Sequence, residues 1–230
     1  MHMTRLLPTV AAAAMCLGAP ALAPAQVVTV DEGSFTITQN GQAAGREDFR
    51  IRSTPAAGGA EYVASATVAL GDRRLSPDLR ADGRGSLIAY RLETRAGGDT
   101  EERLTGQVGR GRFSAQLKTP RGESTREYVV SNGALVLDDD VYHQYYFLGI
   151  GGRSGAVPVV IPRRNVLVTM QVQRQGAETV SVGGQDIDAT HLRISEPGGE
   201  RHVWVDGRGR VLKVTVPARG VTVTRDDPPR

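Results

Sequence analysis

The sequence predicts a mainly β protein: one strongly curved antiparallel sheet or β-barrel of about thirteen strands with one short helix. Three observations predict it. Apolar residues alternate with polar ones over most of the chain, as in "SFTITQ", where Phe35 and Ile37 share one face and Thr36 and Thr38 the other. Glycine pairs and Asn-Gly or Asp-Gly steps punctuate these runs at Asn40-Gly41, Gly58-Gly59, Gly97-Gly98, Asn132-Gly133, Gly183-Gly184, Gly198-Gly199 and Asp206-Gly207, which suits tight hairpins between antiparallel neighbours. About thirteen strands cannot lie flat in one open sheet, so curling or closure follows.

The first twenty-five residues stand outside this pattern. Arg5 supplies a positive start, Leu6 to Leu17 an apolar core, and Ala23-Pro24-Ala25 a small-residue cleavage signal before Gln26. Residues 1–25 are therefore expected to be a signal peptide cleaved after Ala25, leaving residues 26–230 as a single antiparallel β domain in the periplasm or outside the cell. The only cysteine, Cys16, falls in the discarded part, so the exported chain forms no internal disulfide and relies on its core. No later stretch reaches the eighteen or more apolar residues of a transmembrane helix.

From the amino end onward, strands are expected over 34–39, 45–52, 62–70, 86–95, 100–108, 111–118 and 124–131, then over 165–173, 177–182, 187–194, 200–205, 210–216 and 220–225. "ADGRGSLIAYRLE" and "VDGRGRVLKVTVP" each set Asp-Gly-Arg-Gly between apolar runs, at Asp82 to Gly85 and Asp206 to Gly209. Shared turn chemistry accounts for the repetition without duplication of a module. Between the two halves lies "VLDDDVYHQYYFLGIGG", Val136 to Gly152, which holds four of the eleven aromatic residues. Its pattern predicts a helix of about eleven residues, capped by Asp138 or Asp139 and stopped by Gly149, Gly151 and Gly152. Val141, Tyr145 and Leu148 would share its apolar face, with Tyr142 and Tyr146 on the flank. That face is expected to cover the concave side of the sheet.

Composition and motifs exclude several function classes. The net charge is +3, but 26 of the 28 basic residues are arginines scattered among 25 acids, so no nucleic-acid partner is expected. His143, His191 and His202 show no HxH or HxxxH spacing, and Asp138-Asp139-Asp140 lacks the spaced ligands of a calcium loop, so no metal or other cofactor is expected. Ser154 in "GGRSGA" precedes the strand "VPVVIP" but lacks the second glycine of a nucleophile elbow, and the same loop fails the dinucleotide fingerprint. The expectation is no catalytic residue. Tyr142, Tyr146, Phe147 and Trp204 are the candidate ligand-binding residues, because each offers a broad apolar ring, and three of them a polar tip as well.

"GSFTITQNGQAAGREDFRI", "LDDDVYHQYYFLG" and "HVWVDGRGRVLKVTVP" resemble the opening hairpin, mid-chain helix and closing hairpin of exported bacterial β-sheet domains of unknown function. The likeness extends to periplasmic spiral β-barrel envelope proteins and, more distantly, to the lipoprotein-carrier fold, where a curved sheet shelters acyl chains. One envelope-integrity family of this shape uses a disulfide, which residues 26–230 cannot form. The resemblance implies a non-catalytic cell-envelope protein holding a lipid or other apolar ligand, or a segment of an envelope protein partner, in the concave face of its sheet. A periplasmic hydrolase using Ser154 or His143, and a purely structural envelope domain, are the alternatives.

Overall fold

The computed structural model describes residues 26–130 and 133–230. The expected signal peptide and its junction lie outside the described residues up to Ala25. Fifteen strands form one sheet: β1 (Val28–Gln39), β2 (Gln42–Ala56), β3 (Gly59–Leu70), β4 (Arg73–Asp82), β5 (Leu87–Ala96), β6 (Asp99–Gly109), β7 (Arg112–Thr119), β8 (Gly122–Val129), β9 (Leu135–Val136), β10 (Gly155–Ile161), β11 (Val166–Val182), β12 (Gln185–Glu196), β13 (Gly199–Val205), β14 (Val211–Val216) and β15 (Val221–Arg225). Neighbouring strands are consecutive in sequence except at one place, where β1 pairs with β15 and joins the two meanders. All pairs are antiparallel save β9 with β10.

Local sequence explains most of the hairpins. Asn40 and Gly41 both have positive φ, 51° and 77°, as a two-residue turn matching the strand twist requires. Asp82 and Asp206 build the same loop twice. In each, one carboxylate oxygen accepts the backbone N–H groups two and four residues on, at 2.9 and 2.8 Å for Arg84 and Ser86 and at 2.9 and 2.8 Å for Arg208 and Arg210. A register shift precedes each loop, between Arg80 and Ala81 and between Trp204 and Val205.

Three expectations on the elements are corrected. Strand β4 is additional, because Pro77 hides its alternation of Leu75, Pro77, Leu79 and Ala81, all facing the core. The β3–β4 ladder keeps one register on both sides of Ser76-Pro77 but lacks those two pairs, as a residue without an N–H demands. The runs 165–173 and 177–182 are one seventeen-residue strand, β11, carried through a bulge at Gly176 whose φ is 142°. The helix over 138–148 shrinks to a 3-10 turn, His143–Tyr145, followed by a single α-turn, α1 (Tyr146–Gly149). Neither has a side-chain cap, so the aspartates do not start a helix.

The segment 133–150 lies inside the curl of the sheet. It touches β2 through Glu47, β3 through Tyr62, β5 through Tyr90 and β13 through Arg201, which only an interior position permits. Its side chains Leu135, Leu137, Val141, Tyr145, Phe147 and Leu148 join Phe35, Ile51, Leu79, Leu104 and Val223 in one core. Edge strand β8 is tied to the β10–β11 turn by side chains: Arg126 donates to the Pro162 carbonyl and the Tyr128 hydroxyl donates to Asn165 Oδ1 at 3.0 Å. On the opposite face of the sheet, Val180 and Val182 of β11, Ala189 and Leu212 make a second, smaller cluster with Ile187 and Trp204.

Candidate functional site

The interior segment is held by polar groups that break the apolar face of their own strands. In "REDFRI" Glu47 shares the buried side of β2 with Phe49 and Ile51, and it is wholly buried. Its carboxylate accepts the Tyr142 N–H at 2.7 Å and the His143 N–H at 3.0 Å, and its Oε1 lies 2.5 Å from His143 Nδ1. The His143 ring, also wholly buried, is parallel to Phe49 at 6.1 Å. One carboxylate thereby satisfies three buried donors.

The three aspartates answer arginines that follow in sequence by 25 to 79 residues. Asp138 accepts the Tyr90 hydroxyl at 3.0 Å and Arg163 Nε at 3.2 Å. Asp139 receives a two-pronged contact from Arg164 at 2.7 and 2.8 Å, and Asp140 receives Arg219. Arg201, on the inner face of β13, donates to the Tyr145 hydroxyl at 2.7 Å and to Glu196. Burial raises the Asp138 carboxyl above the ordinary carboxylate range despite Arg163. Burial acts on Asp139 the same way, but the Arg164 hydrogen bond and the charges of Arg164, Arg201 and Arg219 bring it below that range. Burial also pushes the Tyr90 and Tyr142 phenols far up.

Of the ligand-binding candidates, Tyr142, Tyr146 and Phe147 are all buried in the interior segment; Tyr146 and Phe147 pack edge-on with each other and with Tyr62, at 6.1 and 6.0 Å from it, while Tyr142 lies beside Asp140 and Arg219. Trp204 is not with them. It lies on the outer face of β13, stacked on His191 at 4.5 Å, with its Nε1–H donated to Glu178 at 2.7 Å. Ser154 is exposed while His143 is wholly buried against Glu47, and no hydrogen bond joins the two.

Open space is left at the two ends of the curl. At one end a cleft of about 930 Å³ opens between the first Asp-Gly-Arg-Gly turn and the exit of the interior segment, lined by Leu87, Val108, Val130, Ala134, Ile150 and the arginines Arg84 and Arg153. Arg153 uses its guanidinium on the Gly133 and Arg84 carbonyls and on Ser86 Oγ, and it pairs with no carboxylate among the described residues. At the other end about 530 Å³ lies beside Tyr142, Asp140 and Arg219, and the buried Tyr142 hydroxyl there has no hydrogen-bond partner among the described residues. Among the described residues no group of three or more His, Cys, Asp or Glu side chains is placed to hold a metal ion.

Glu47, Tyr90, Arg163, Arg201 and Arg219 are the residues anchoring the interior segment that sequence reading missed. Glu47 and Arg201 were open to detection, since each is a charge on the apolar half of an alternating strand. The other pairings depend on which strands become neighbours.

A curled sheet filled by its own polar-anchored segment defines a β-barrel-like protein. Consistent with that, the chain is similar to a solved β-barrel-like protein of the domain of unknown function DUF1849 from Brucella abortus, with a TM-score of 0.55 and 10% identity, covering 85% of this chain and 94% of the other. No curated protein matches. Residues 84–225, well over half of the chain, match the domain of unknown function DUF6134, and the chain belongs to that family. The matched region starts inside the first Asp-Gly-Arg-Gly turn and ends with the last residue of β15.

Proposed function

We propose that the chain is a non-catalytic, exported cell-envelope protein that holds a lipid-like or other apolar ligand at the mouth of its barrel. The observation that carries the reading is the cleft of about 930 Å³ between the β4–β5 turn and the interior segment. Its walls combine apolar side chains with two arginines, and such a volume suits a small-molecule site. Arg84 and Arg153 supply positive charge for an acidic head group, while Leu87, Val108, Val130 and Ile150 offer apolar wall to a chain. The concave face of the sheet, the place expected from sequence, is taken by the protein's own residues 133–150, so the ligand moves from the barrel interior to its end.

Export is supported by the apolar stretch after Arg5, the Ala-Pro-Ala site and a cysteine-free remainder. A non-catalytic role is supported by the separation of exposed Ser154 from buried His143 and by the anchoring of His143 to Glu47. The experiment is titration of the delipidated chain with a fluorescent fatty acid. Saturable binding near one to one, weakened at least tenfold by Val108→Asp, is the expected result. An absence of saturable binding by the unaltered chain removes the ligand reading, and covalent labelling of Ser154 by a fluorophosphonate probe replaces it with a hydrolase.

A further inference from the structure

On the outer face of the sheet, away from both clefts, β12 and β13 bring two histidines together. Trp204 stands directly opposite His191 and His202 opposite Arg193, so the two imidazoles are diagonal neighbours on one face. Four groups lie in a row. Glu178 Oε1 is 2.7 Å from His191 Nδ1, His191 Nε2 is 2.9 Å from His202 Nδ1, and His202 Nε2 is 3.2 Å from Glu200 Oε1.

Each of these three contacts needs one hydrogen. Two neutral imidazoles bring only two, and ionised carboxylates bring none. With one ring hydrogen placed on each carboxylate, His191 Nε2 and His202 Nδ1 are left facing each other as acceptors 2.9 Å apart. The gap between them calls for a cation.

We propose that His191 and His202 form a two-histidine site for a divalent transition-metal ion of the Zn²⁺, Cu²⁺ or Ni²⁺ type. Imidazole suits these ions, whereas Ca²⁺ and Mg²⁺ take oxygen ligands. Metal–imidazole bonds of about 2.0–2.1 Å at a tetrahedral angle set the two nitrogens about 3.3 Å apart, so the nitrogens part by about 0.4 Å and the rings, now nearly end to end with centroids 5.1 Å apart, tilt toward the ion. Carboxylates on the far nitrogens are the arrangement that fixes the tautomer and orientation of metal-binding histidines. The rings are 13% and 21% exposed, which leaves room for water to complete the coordination. Of the cationic groups nearby, Arg193 is paired with Glu200 at 2.8 Å, and Lys213 sits over the Trp204 ring at 4.9 Å.

The sole tryptophan of the chain, Trp204, stacks on His191 and is a built-in reporter. Cu²⁺ added to the untagged chain should quench its fluorescence in a saturable, one-to-one manner, and Zn²⁺, which does not quench, should displace Cu²⁺ and restore the signal. His202→Ala and His202→Gln, which leave the His191–Trp204 stack in place, should each abolish the saturable phase. Glu200→Gln should weaken it, roughly 10–100-fold. Quenching that is absent, non-saturable or unchanged in both His202 variants overturns the proposal and leaves a shared proton between the rings. Because this site lies on the opposite face from the barrel mouth, neither outcome bears on fatty-acid binding.

Discussion

At the scale of single residues, the interior is decided by charges placed where alternation calls for apolar side chains. Glu47 could be tolerated on the core face of β2 only with partners, and the backbone and ring of Tyr142-His143 supply three. Asp138 shows the opposite balance, because desolvation outweighs Arg163 and its folded-state carboxyl stays above the unfolded value near 3.8. Between those two values the folded chain binds a proton that the unfolded chain has released. Stability therefore falls as pH rises through that window, by up to about 1.4 kcal/mol per pH unit for one proton, and levels off above it. Asp138→Asn cannot titrate. The difference in urea midpoint between the two proteins should move in favour of the variant as pH is raised from about 4, then become constant. Asp139, whose carboxyl is lowered, contributes the opposite slope below 3.8, present in both proteins and so absent from the difference. A difference independent of pH would show that Arg163 fully offsets the burial of Asp138.

At the scale of elements, period-two alternation and Asn-Gly or Gly-Gly turns reveal most strands, because both signals are local. β4 escaped since Pro77 and Ser76 interrupt its pattern, and β11 was split since Gly176 and Ala177 look like a turn where the strand in fact passes through a bulge. The misreading of residues 138–148 has a different origin. Aspartates ahead of an apolar-periodic run do cap helices, but here Arg163, Arg164 and Arg219 claim them from distant parts of the chain. No local pattern announces those partners. The repeated Asp-Gly-Arg-Gly turns make a further point about elements, since they face the same short helical turn from two sides. A Cβ on Gly85 would meet Phe147 at 3.1 Å, and one on Gly209 would meet Ile150 N at 2.6 Å. Both glycines have φ of 80°. Gly209→Ala therefore combines backbone strain with collision against backbone atoms, and should destabilise by about 2–4 kcal/mol. Gly207→Ala, in the same turn but with open space around it, should stay within about 0.5 kcal/mol. Chemical denaturation of the two variants checks the contrast, and equal losses would mean that the turn does not seat the interior segment.

At the scale of the whole molecule, the sheet is two meanders sealed by one ladder, β1 with β15, and by side-chain contacts between β8 and the β10–β11 turn. The sequence shows that the strands must curl, yet the pairing of the first strand with the last is a long-range choice that hairpin signals do not encode. Its anchor is Asp31 of β1, which accepts Arg225 of β15 at 3.1 and 2.7 Å in a buried ion pair. The region matching DUF6134 begins at residue 84 and so omits β1 to β4. Cutting the chain there would free one edge of β5 and one edge of β15, and would remove Phe35, Phe49, Ile51, Leu75 and Leu79 from the core. It would also take away Glu47, leaving the Tyr142 and His143 N–H groups and the His143 ring without their acceptor. Exposed edges invite pairing with other chains, and each stranded buried donor costs about 1–3 kcal/mol. A fragment of residues 84–230 should accordingly be aggregated or lack cooperative unfolding, whereas the same fragment mixed with residues 26–83 should regain a cooperative transition if β1 and β4 find their partners. A monomeric, cooperatively unfolding 84–230 fragment would show that the matched region is a complete folding unit and that the first four strands are an addition to it.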